Sequence, residues 1–219
     1  MDEKFWLERW ERQEIGFHQR NINARLRRFW PDLGLARGDA VFVPLCGKSA
    51  DMIWLRVQGH PVLGVELSPV AVAAFFTENG LAPRRRRQGR FDAAESDGIR
   101  IFRGDFFDLT AGDLAGIEAV YDRAALIAMP PAMRERYAAH MVEILPHGAR
   151  TLLVTLEYPQ GEMQGPPFSV PPAEVERLYG PCGDVRLLSR DDVLSKGRDL
   201  AERGVTALYE CTFLVTSRR

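Results

Sequence analysis

The chain has 219 residues and a formal net charge of −1 at pH 7; 46% of its residues are hydrophobic and 27% are charged. This length fits one domain, the apolar content suffices for a sizeable core, and the balanced charge argues against a nucleic-acid-binding protein. No apolar run is long enough to span a membrane, and the charged start MDEKFWLERWERQE has no signal-peptide core. We therefore expect a single domain, 1–219, in the cytoplasm, with neither nucleic acid nor a membrane as partner.

Metal chemistry is not expected from the residues that usually carry it. Cys46, Cys182 and Cys211 are too scattered for a disulfide framework or a Cys-x-x-Cys site, and the four histidines lack His-Glu-x-x-His spacing.

The N-terminal part carries large apolar residues at helical spacing over 2–30, and Pro31 ends the pattern. We interpret 1–37 as a helical extension that closes over the site as a lid, and 38–219 as an α/β core. Trp6 and Trp10 fit the buried stripe of an amphipathic helix.

Strand and helix patterns alternate through the core. Predicted strands are 40–45, 61–67, 118–123, 149–158, 184–189 and 205–217, a hairpin with an Asp-Gly turn is predicted over 84–103, and predicted helices are 49–58, 69–80, 131–145 and 172–179. This alternation predicts a doubly wound, mostly parallel sheet covered by helices, with an antiparallel hairpin at the C-terminal end. Ser68 and Pro69 are expected to start the helix 69–80. The arginine run 84–87 fits a solvated strand or loop face better than a ligand patch.

The turn PLCGKS, 44–49, lies where open α/β sheets bind ligands. A phosphate-binding P-loop would need a glycine where Phe42 stands, within the strand. A dinucleotide site would need Gly-x-Gly-x-x-Gly, and only Gly47 is present. A nucleoside without phosphates is less demanding and needs mainly an acceptor for its ribose hydroxyls. Glu66, at the end of the second strand, is placed to be that acceptor, although it could instead cap the next helix.

Several segments together resemble one family. FWLERW, IGFH, VFVPLCGKSADMIWL, GHPVLGVELS, YDRAALIAMP and GPPFSVP, with their spacing, resemble the thiopurine S-methyltransferase family over nearly the whole chain. The resemblance implies a class I, Rossmann-like methyltransferase fold with a seven-stranded sheet, S-adenosylmethionine as cofactor and a sulfur atom as methyl acceptor. The implied partner is a small-molecule thiol, with selenium or tellurium species as further acceptors, and we expect a monomer.

The resemblance also implies roles for individual residues. Cofactor contacts are expected from Trp10, Leu45, Glu66, Asp105, Phe106 and Arg123, and acceptor contacts from Phe17, Arg123 and Pro167. Pro166 and Phe168 are expected to shape the acceptor pocket with Pro167. Two other functions stay open at this point, an NAD-dependent oxidoreductase on a similar sheet and a non-catalytic nucleoside-binding protein.

Arg123 is the expected catalytic residue. A guanidinium stays protonated in proteins, so it cannot act as a base, but it can stabilise an anionic sulfur and raise the thiolate fraction of an acceptor. The alternative is an exposed Asp122–Arg123 pair of little energetic worth. His18, Cys46 and Arg198 are weaker candidates: His18 and Cys46 fit structural roles better, and Arg198 is expected to reach the pocket only from the tail.

Overall fold

The computed structural model describes residues 3–16, 18–19, 21–195 and 197–218. Within this part of the chain, nine strands are assigned: β1 (Ala40–Val43), β2 (Val62–Glu66), β3 (Arg84–Gln88), β4 (Phe91–Ser96), β5 (Ile99–Arg103), β6 (Ile117–Arg123), β7 (Arg150–Glu157), β8 (Gly183–Asp192) and β9 (Tyr209–Ser217). The helices are α1 (Glu3–Glu11), α2 (Ala24–Phe29), α3 (Asp51–Val57), α4 (Pro69–Glu78), α5 (Pro131–Ile144), α6 (Pro172–Tyr179) and α7 (Arg198–Glu202).

The strands form one sheet in the order β3-β4-β5-β2-β1-β6-β7-β9-β8. Strands β5, β2, β1, β6 and β7 are parallel to one another, whereas β9 pairs antiparallel with both β7 and β8. This confirms the predicted parallel sheet with an antiparallel C-terminal hairpin. The connections reverse direction between β1 and β6, which is where a sheet of this kind opens a crevice for ligands.

The expected number of seven strands is wrong, because the sheet has nine strands among the described residues. The segment predicted as one hairpin over 84–103 forms three strands, β3, β4 and β5, and its first turn is made at Gly89, whose φ is +56°. The Asp97–Gly98 turn lies between β4 and β5 as predicted. The four arginines Arg84–Arg87 are exposed on β3, so the solvated-strand interpretation of this run is confirmed.

The N-terminal helical pattern is interrupted, which corrects the expectation of helical structure across 2–30. Helix α1 ends at Glu11, and Gln13 then takes a positive φ of 58°, which no helix accommodates. Helix α2 starts afresh because the Asn23 side chain accepts a hydrogen bond from the Arg25 N–H at 2.8 Å. Pro31 lies inside the 3₁₀ turn that follows α2 rather than after the last helical residue.

Two apolar clusters cover the two faces of the sheet. Along β1, Phe42 packs into one cluster, while Val41 and Val43 pack into the other, as the two-residue period of a strand requires. Both faces of the central strands are therefore buried, and chemically active groups reach solvent mainly at the strand ends. Ser68 starts α4 as predicted, its hydroxyl accepting the Ala71 N–H at 3.3 Å.

Candidate functional site

A cleft of about 1900 Å³ opens at the carboxyl ends of the central strands. The N-terminal helices form one wall, and the loop after β7 forms another. Every expected cofactor or acceptor contact that the structure describes lines this cleft: Trp10, Leu45, Glu66, Asp105, Phe106, Arg123 and Pro167. Phe17, the remaining one, lies outside the described residues.

The turn after β1 brings backbone donors to the floor of the cleft. Leu45 and Gly47 both have positive φ, 44° and 52°, so the chain bends sharply. The bend allows the Cys46 N–H to donate to the Val65 carbonyl at 3.0 Å and the Gly47 N–H to donate to Glu66 Oε2 at 2.8 Å. The ends of β1 and β2 are thereby joined beneath the cleft.

Trp10 covers this turn. It is buried, and a Cβ placed on Gly47 would lie only 3.1 Å from Trp10 Cζ2. Glycine is therefore needed at position 47 for the close approach of the indole as well as for the positive φ. Helix α1 thus contributes one aromatic side chain directly to the wall of the cleft.

Glu66 lies beneath the cleft with both carboxylate oxygens engaged. Besides the Gly47 bond, Oε1 accepts the Ser68 N–H at 2.7 Å. Burial raises the pKa of Glu66, and the amides of Ser68, Gly47 and Leu67 partly offset this. A carboxylate offers about four lone-pair sites. The Gly47 and Ser68 hydrogen bonds each take one site on a different oxygen, so acceptor capacity remains for hydroxyls in the cleft.

The turn after β5 supplies a flat apolar wall. Asp105 Oδ1 accepts the Phe107 N–H at 3.0 Å, which fixes the turn. The Phe106 ring is largely buried, with its centroid 4.6 Å from that of Tyr137. Phe107, which was not anticipated from the sequence, also lines the cleft, and the Arg136 guanidinium lies 4.9 Å from its ring centroid.

Arg123 is the last residue of β6. It does not form the exposed ion pair with Asp122 that the sequence left open, but a buried pair with Asp51. Its Nε donates to Asp51 Oδ2 at 3.2 Å, and both side chains are largely buried. Asp122 points to the opposite face of the sheet, as alternation along a strand requires, and there it accepts the Tyr137 hydroxyl at 2.7 Å. Burial raises the pKa of Asp122 to about 6.

The sequence analysis did not predict a role for Asp51 at the site, because an acidic residue in the first turn of a helix usually only complements the helix dipole. Nothing local distinguishes it from such a residue. Its partners come from α2 and β6, far away in the chain.

The loop after β7 brings Pro166 and Pro167 to the cleft. The Tyr158 hydroxyl donates to the Pro167 carbonyl at 2.6 Å, and the Phe168 N–H donates to the Ile127 carbonyl at 2.7 Å. Phe168 is not among the described cleft-lining residues, and its expected part in shaping the pocket stays a prediction. Its ring folds back over Gly165, where an added Cβ would lie 2.6 Å away.

Other candidates from the sequence contribute less. Cys46 is buried against Gly64, and burial, followed by the nearby charge of Glu66, raises the pKa of its thiol well above the ordinary value, which fits packing rather than reactivity. His18 is not among the described residues that line the cleft, and the Arg198 side chain lies outside what is described. Arg203, further along the same tail, does line the cleft and had no distinguishing sequence signal.

Two observations concern the described residues as a whole. None of their groups of histidine, cysteine, aspartate and glutamate brings three or more together in a way that could hold a metal ion. None of their helices combines the length and apolar character that crossing a membrane requires.

Comparison with known proteins gives consistent results. The family model described as Thiopurine S-methyltransferase (TPMT) matches residues 1–218. A protein of Nitrosospira multiformis named thiopurine S-methyltransferase is 55% identical over 100% of this chain and 99% of its own length. One of the same name from Pseudomonas fluorescens strain Pf0-1 is 51% identical over 98% of this chain and 99% of its own length.

Solved structures show the fold. The 1,6-didemethyltoxoflavin-N1-methyltransferase of Burkholderia thailandensis, with bound S-adenosylhomocysteine, has a TM-score of 0.65 at 15% identity, covering 99% of this chain and 87% of that one. A SAM-dependent methyltransferase of Methanosarcina mazei has a TM-score of 0.63 at 11% identity, covering 90% of this chain and 98% of that one. The expected class I methyltransferase fold is thereby confirmed.

Proposed function

Because the chain belongs to the thiopurine S-methyltransferase family, we propose that its cleft holds S-adenosylmethionine beside a thiopurine or related aromatic thiol and directs the methyl group to the acceptor sulfur. Family membership makes the chain a SAM-dependent S-methyltransferase and argues against the NAD-dependent and non-catalytic alternatives. The observation that carries the assignment of the cleft is the convergence of seven expected residues on one cavity.

The residues on the cofactor side fit a nucleoside bearing a sulfonium. Glu66 retains acceptor capacity for two ribose hydroxyls, and the single bare residue Gly47 lies directly under Trp10. Phe106 and Phe107 offer apolar surface for a purine ring next to Asp105. When bound, S-adenosylmethionine supplies an activated methyl group, so the protein has mainly to bind and orient the reactants.

On the acceptor side, Arg123 provides electrostatic stabilisation of the acceptor sulfur. Its Nε is held by Asp51, and the guanidinium borders the cleft, where it can stabilise the negative charge of a thiolate. A thiolate attacks far better than a neutral thiol, so holding the sulfur in its anionic form raises the rate. Pro167 supplies a stiff apolar surface against which a flat ring can lie.

We propose that the N-terminal part, 1–37, works as the lid of a single domain whose core is 38–219. In support, Trp10 reaches from α1 to the turn after β1. A closed lid excludes water from the reacting sulfur atoms.

We also propose that the protein acts as a cytoplasmic monomer on small molecules, since one chain provides all the described walls of the cleft. Size-exclusion chromatography with light scattering tests the monomer.

The test is a methyl-transfer assay with labelled S-adenosylmethionine and a panel of thiopurines, aryl thiols, selenite and tellurite. We expect labelled methyl on the thiopurine sulfur, and we propose the selenium and tellurium species as further acceptors. Arg123→Ala should lower turnover most with weakly acidic thiols, because those depend most on stabilisation of the anion. Lack of transfer to every acceptor would refute the proposal, and an unchanged rate in Arg123→Ala would refute the role of that residue.

A further inference from the structure

The Asp51 carboxylate is a buried junction of three hydrogen bonds, with 2% of the side chain exposed. Its Oδ1 accepts the backbone N–H of Asn23 at 2.8 Å. Its Oδ2 accepts the Tyr121 hydroxyl at 3.1 Å and the Arg123 Nε at 3.2 Å. One side chain therefore connects the start of α2 with the carboxyl end of β6.

All three partners of this carboxylate are donors, and this explains why the position holds an acid. An ionised carboxylate only accepts hydrogen bonds, whereas an amide would turn an NH₂ group towards one of the donors. The charge of Asp51 also offsets that of Arg123, whose side chain is 12% exposed. Without it, the guanidinium would be a largely buried cation without its charge partner.

Arg123 binds Asp51 through Nε and not through a terminal nitrogen, which leaves both terminal nitrogens for other partners. Asp51 engages Nε, and among the residues that the structure describes, neither terminal nitrogen of Arg123 has a hydrogen-bond partner. The two terminal nitrogens carry four N–H donors, which stay available on the cleft side. A guanidinium held at Nε is fixed in orientation, whereas one held only by its terminal nitrogens would lose its outward donors.

We propose that Asp51 is a positioning residue for methyl transfer, which fixes the Arg123 guanidinium so that its terminal N–H groups face the acceptor sulfur. This proposal rests on the function proposed above for Arg123. Through the Asn23 N–H, the same carboxylate connects Arg123 to the N-terminal wall of the cleft. Correct docking of the segment before α2 and correct orientation of Arg123 therefore depend on one group.

The first experiment compares Asp51→Asn with the wild type on two acceptors, one aryl thiol already ionised at the assay pH and one largely protonated. Misorienting a catalytic group by about 1 Å costs on the order of 100-fold in rate. We expect Asp51→Asn to lower kcat by about 10- to 100-fold for the protonated thiol and by less than about 3-fold for the ionised one.

Asp113→Asn is the matched control, because Asp113 bonds only the exposed Thr110 and lies outside the cleft. It should behave as wild type with both acceptors. Equal losses with both acceptors in Asp51→Asn would indicate a merely structural residue and overturn the proposal.

A double-mutant cycle gives a second readout. If Asp51 acts through Arg123, then Asp51→Asn adds little to the loss already caused by Arg123→Ala, whereas independent effects multiply. Multiplying losses would overturn the proposal. A wild-type protein that methylates no thiol would instead refute the proposed function itself, so the two failures are distinguishable.

Arg123→Lys keeps the test valid if Asp51→Asn fails to fold. Lysine retains the positive charge, but its three donors share one nitrogen on a flexible stem, so a bond to Asp51 does not fix their direction as it fixes a planar guanidinium. We expect its kcat for the protonated thiol to fall nearly to that of Arg123→Ala. Retention of more than about half of the wild-type rate would show that charge suffices without positioning, and would overturn the proposal.

Discussion

Glu66 accepts the Gly47 N–H at 2.8 Å, so the acid expected to hold the cofactor also ties together the turns that follow the first two strands. The sequence suggested two competing uses for Glu66, ribose acceptor or helix cap. The structure shows it bonded to the start of α4 through Ser68 while it still faces the cleft. The two uses are therefore compatible, since each carboxylate oxygen can accept more than one donor.

The first prediction concerns cofactor affinity. In Glu66→Gln one acceptor oxygen becomes an NH₂ donor, so the side chain can no longer accept both backbone N–H groups and two ribose hydroxyls. A hydrogen bond to a charged group contributes about 1.5–3 kcal/mol, so the dissociation constant of S-adenosylmethionine should rise about 10- to 100-fold in calorimetry. Glu78→Gln, on the exposed side of α4, should leave the dissociation constant unchanged. Wild-type affinity in Glu66→Gln would exclude Glu66 as the ribose acceptor.

The second prediction concerns the contact between α1 and the turn after β1. Gly47→Ala places a Cβ 3.1 Å from the Trp10 ring at a φ of 52°. The left-handed backbone alone costs about 1–2 kcal/mol for a residue other than glycine. We expect lower stability in urea unfolding together with a changed tryptophan fluorescence as Trp10 moves. Gly161→Ala, where an added Cβ meets nothing within 4 Å, is the control. An unaltered emission spectrum in Gly47→Ala would contradict the close packing of Trp10.

The third prediction concerns pH and stability. Burial raises the pKa of Asp122 from 3.8 to about 6, so between these pH values the native state holds a proton that the unfolded state has released. Stability from this group is therefore full below about pH 4 and is lost as the pH rises to about 6, by roughly 3 kcal/mol at most. Asp122→Asn removes this dependence, and its amide oxygen can still accept the Tyr137 hydroxyl.

The measurement is urea unfolding of both proteins from pH 4 to pH 7. We expect the difference in unfolding free energy to move in favour of Asp122→Asn as the pH rises. A difference that is constant across this range would show that Asp122 has no raised pKa in the native state.

The fourth prediction concerns the anchor of the proline loop. Arg134 is buried, donates to the carbonyls of Ser169 and Met129, and pairs with Glu174 at 2.6 Å. Arg134→Met leaves the carbonyls of the buried Ser169 and Met129 without their donor, and each such loss costs about 1–3 kcal/mol. Thermal unfolding should show this loss, and KM for the thiol acceptor should rise because the loop bears Pro167.

Arg177→Met is the matched control, because Arg177 also pairs with Glu174, at 3.7 Å, but is 55% exposed. An exposed ion pair contributes less than about 1 kcal/mol, so this variant should be close to wild type in stability and KM. Equal destabilisation by the two substitutions would show that burial of Arg134 does not matter.

The sequence predicted what depends on local pattern and missed what depends on distant partners. The helix start at Ser68 and the Asp97–Gly98 turn follow from a few neighbouring residues, and both are found in the structure. The sequence did not predict β3 as a separate strand, because the alternation of apolar and polar residues that marks a strand is absent from a run of four arginines. The partners of the Asp51 carboxylate are at least 28 residues away, and the Ser169 carbonyl that Arg134 binds is 35 residues away, so no local pattern encodes these contacts.

The exposed strand β3 has a consequence for the behaviour of the protein in concentrated solution. It is one of the two outer strands of the described sheet, and the edge of such a strand that has no neighbouring strand can template the addition of another chain. Arg84–Arg87 place four cationic side chains along it. Two copies approaching strand to strand would bring these charges together, and their repulsion opposes sheet extension and aggregation at this side. The arginine run thus acts against unwanted self-association.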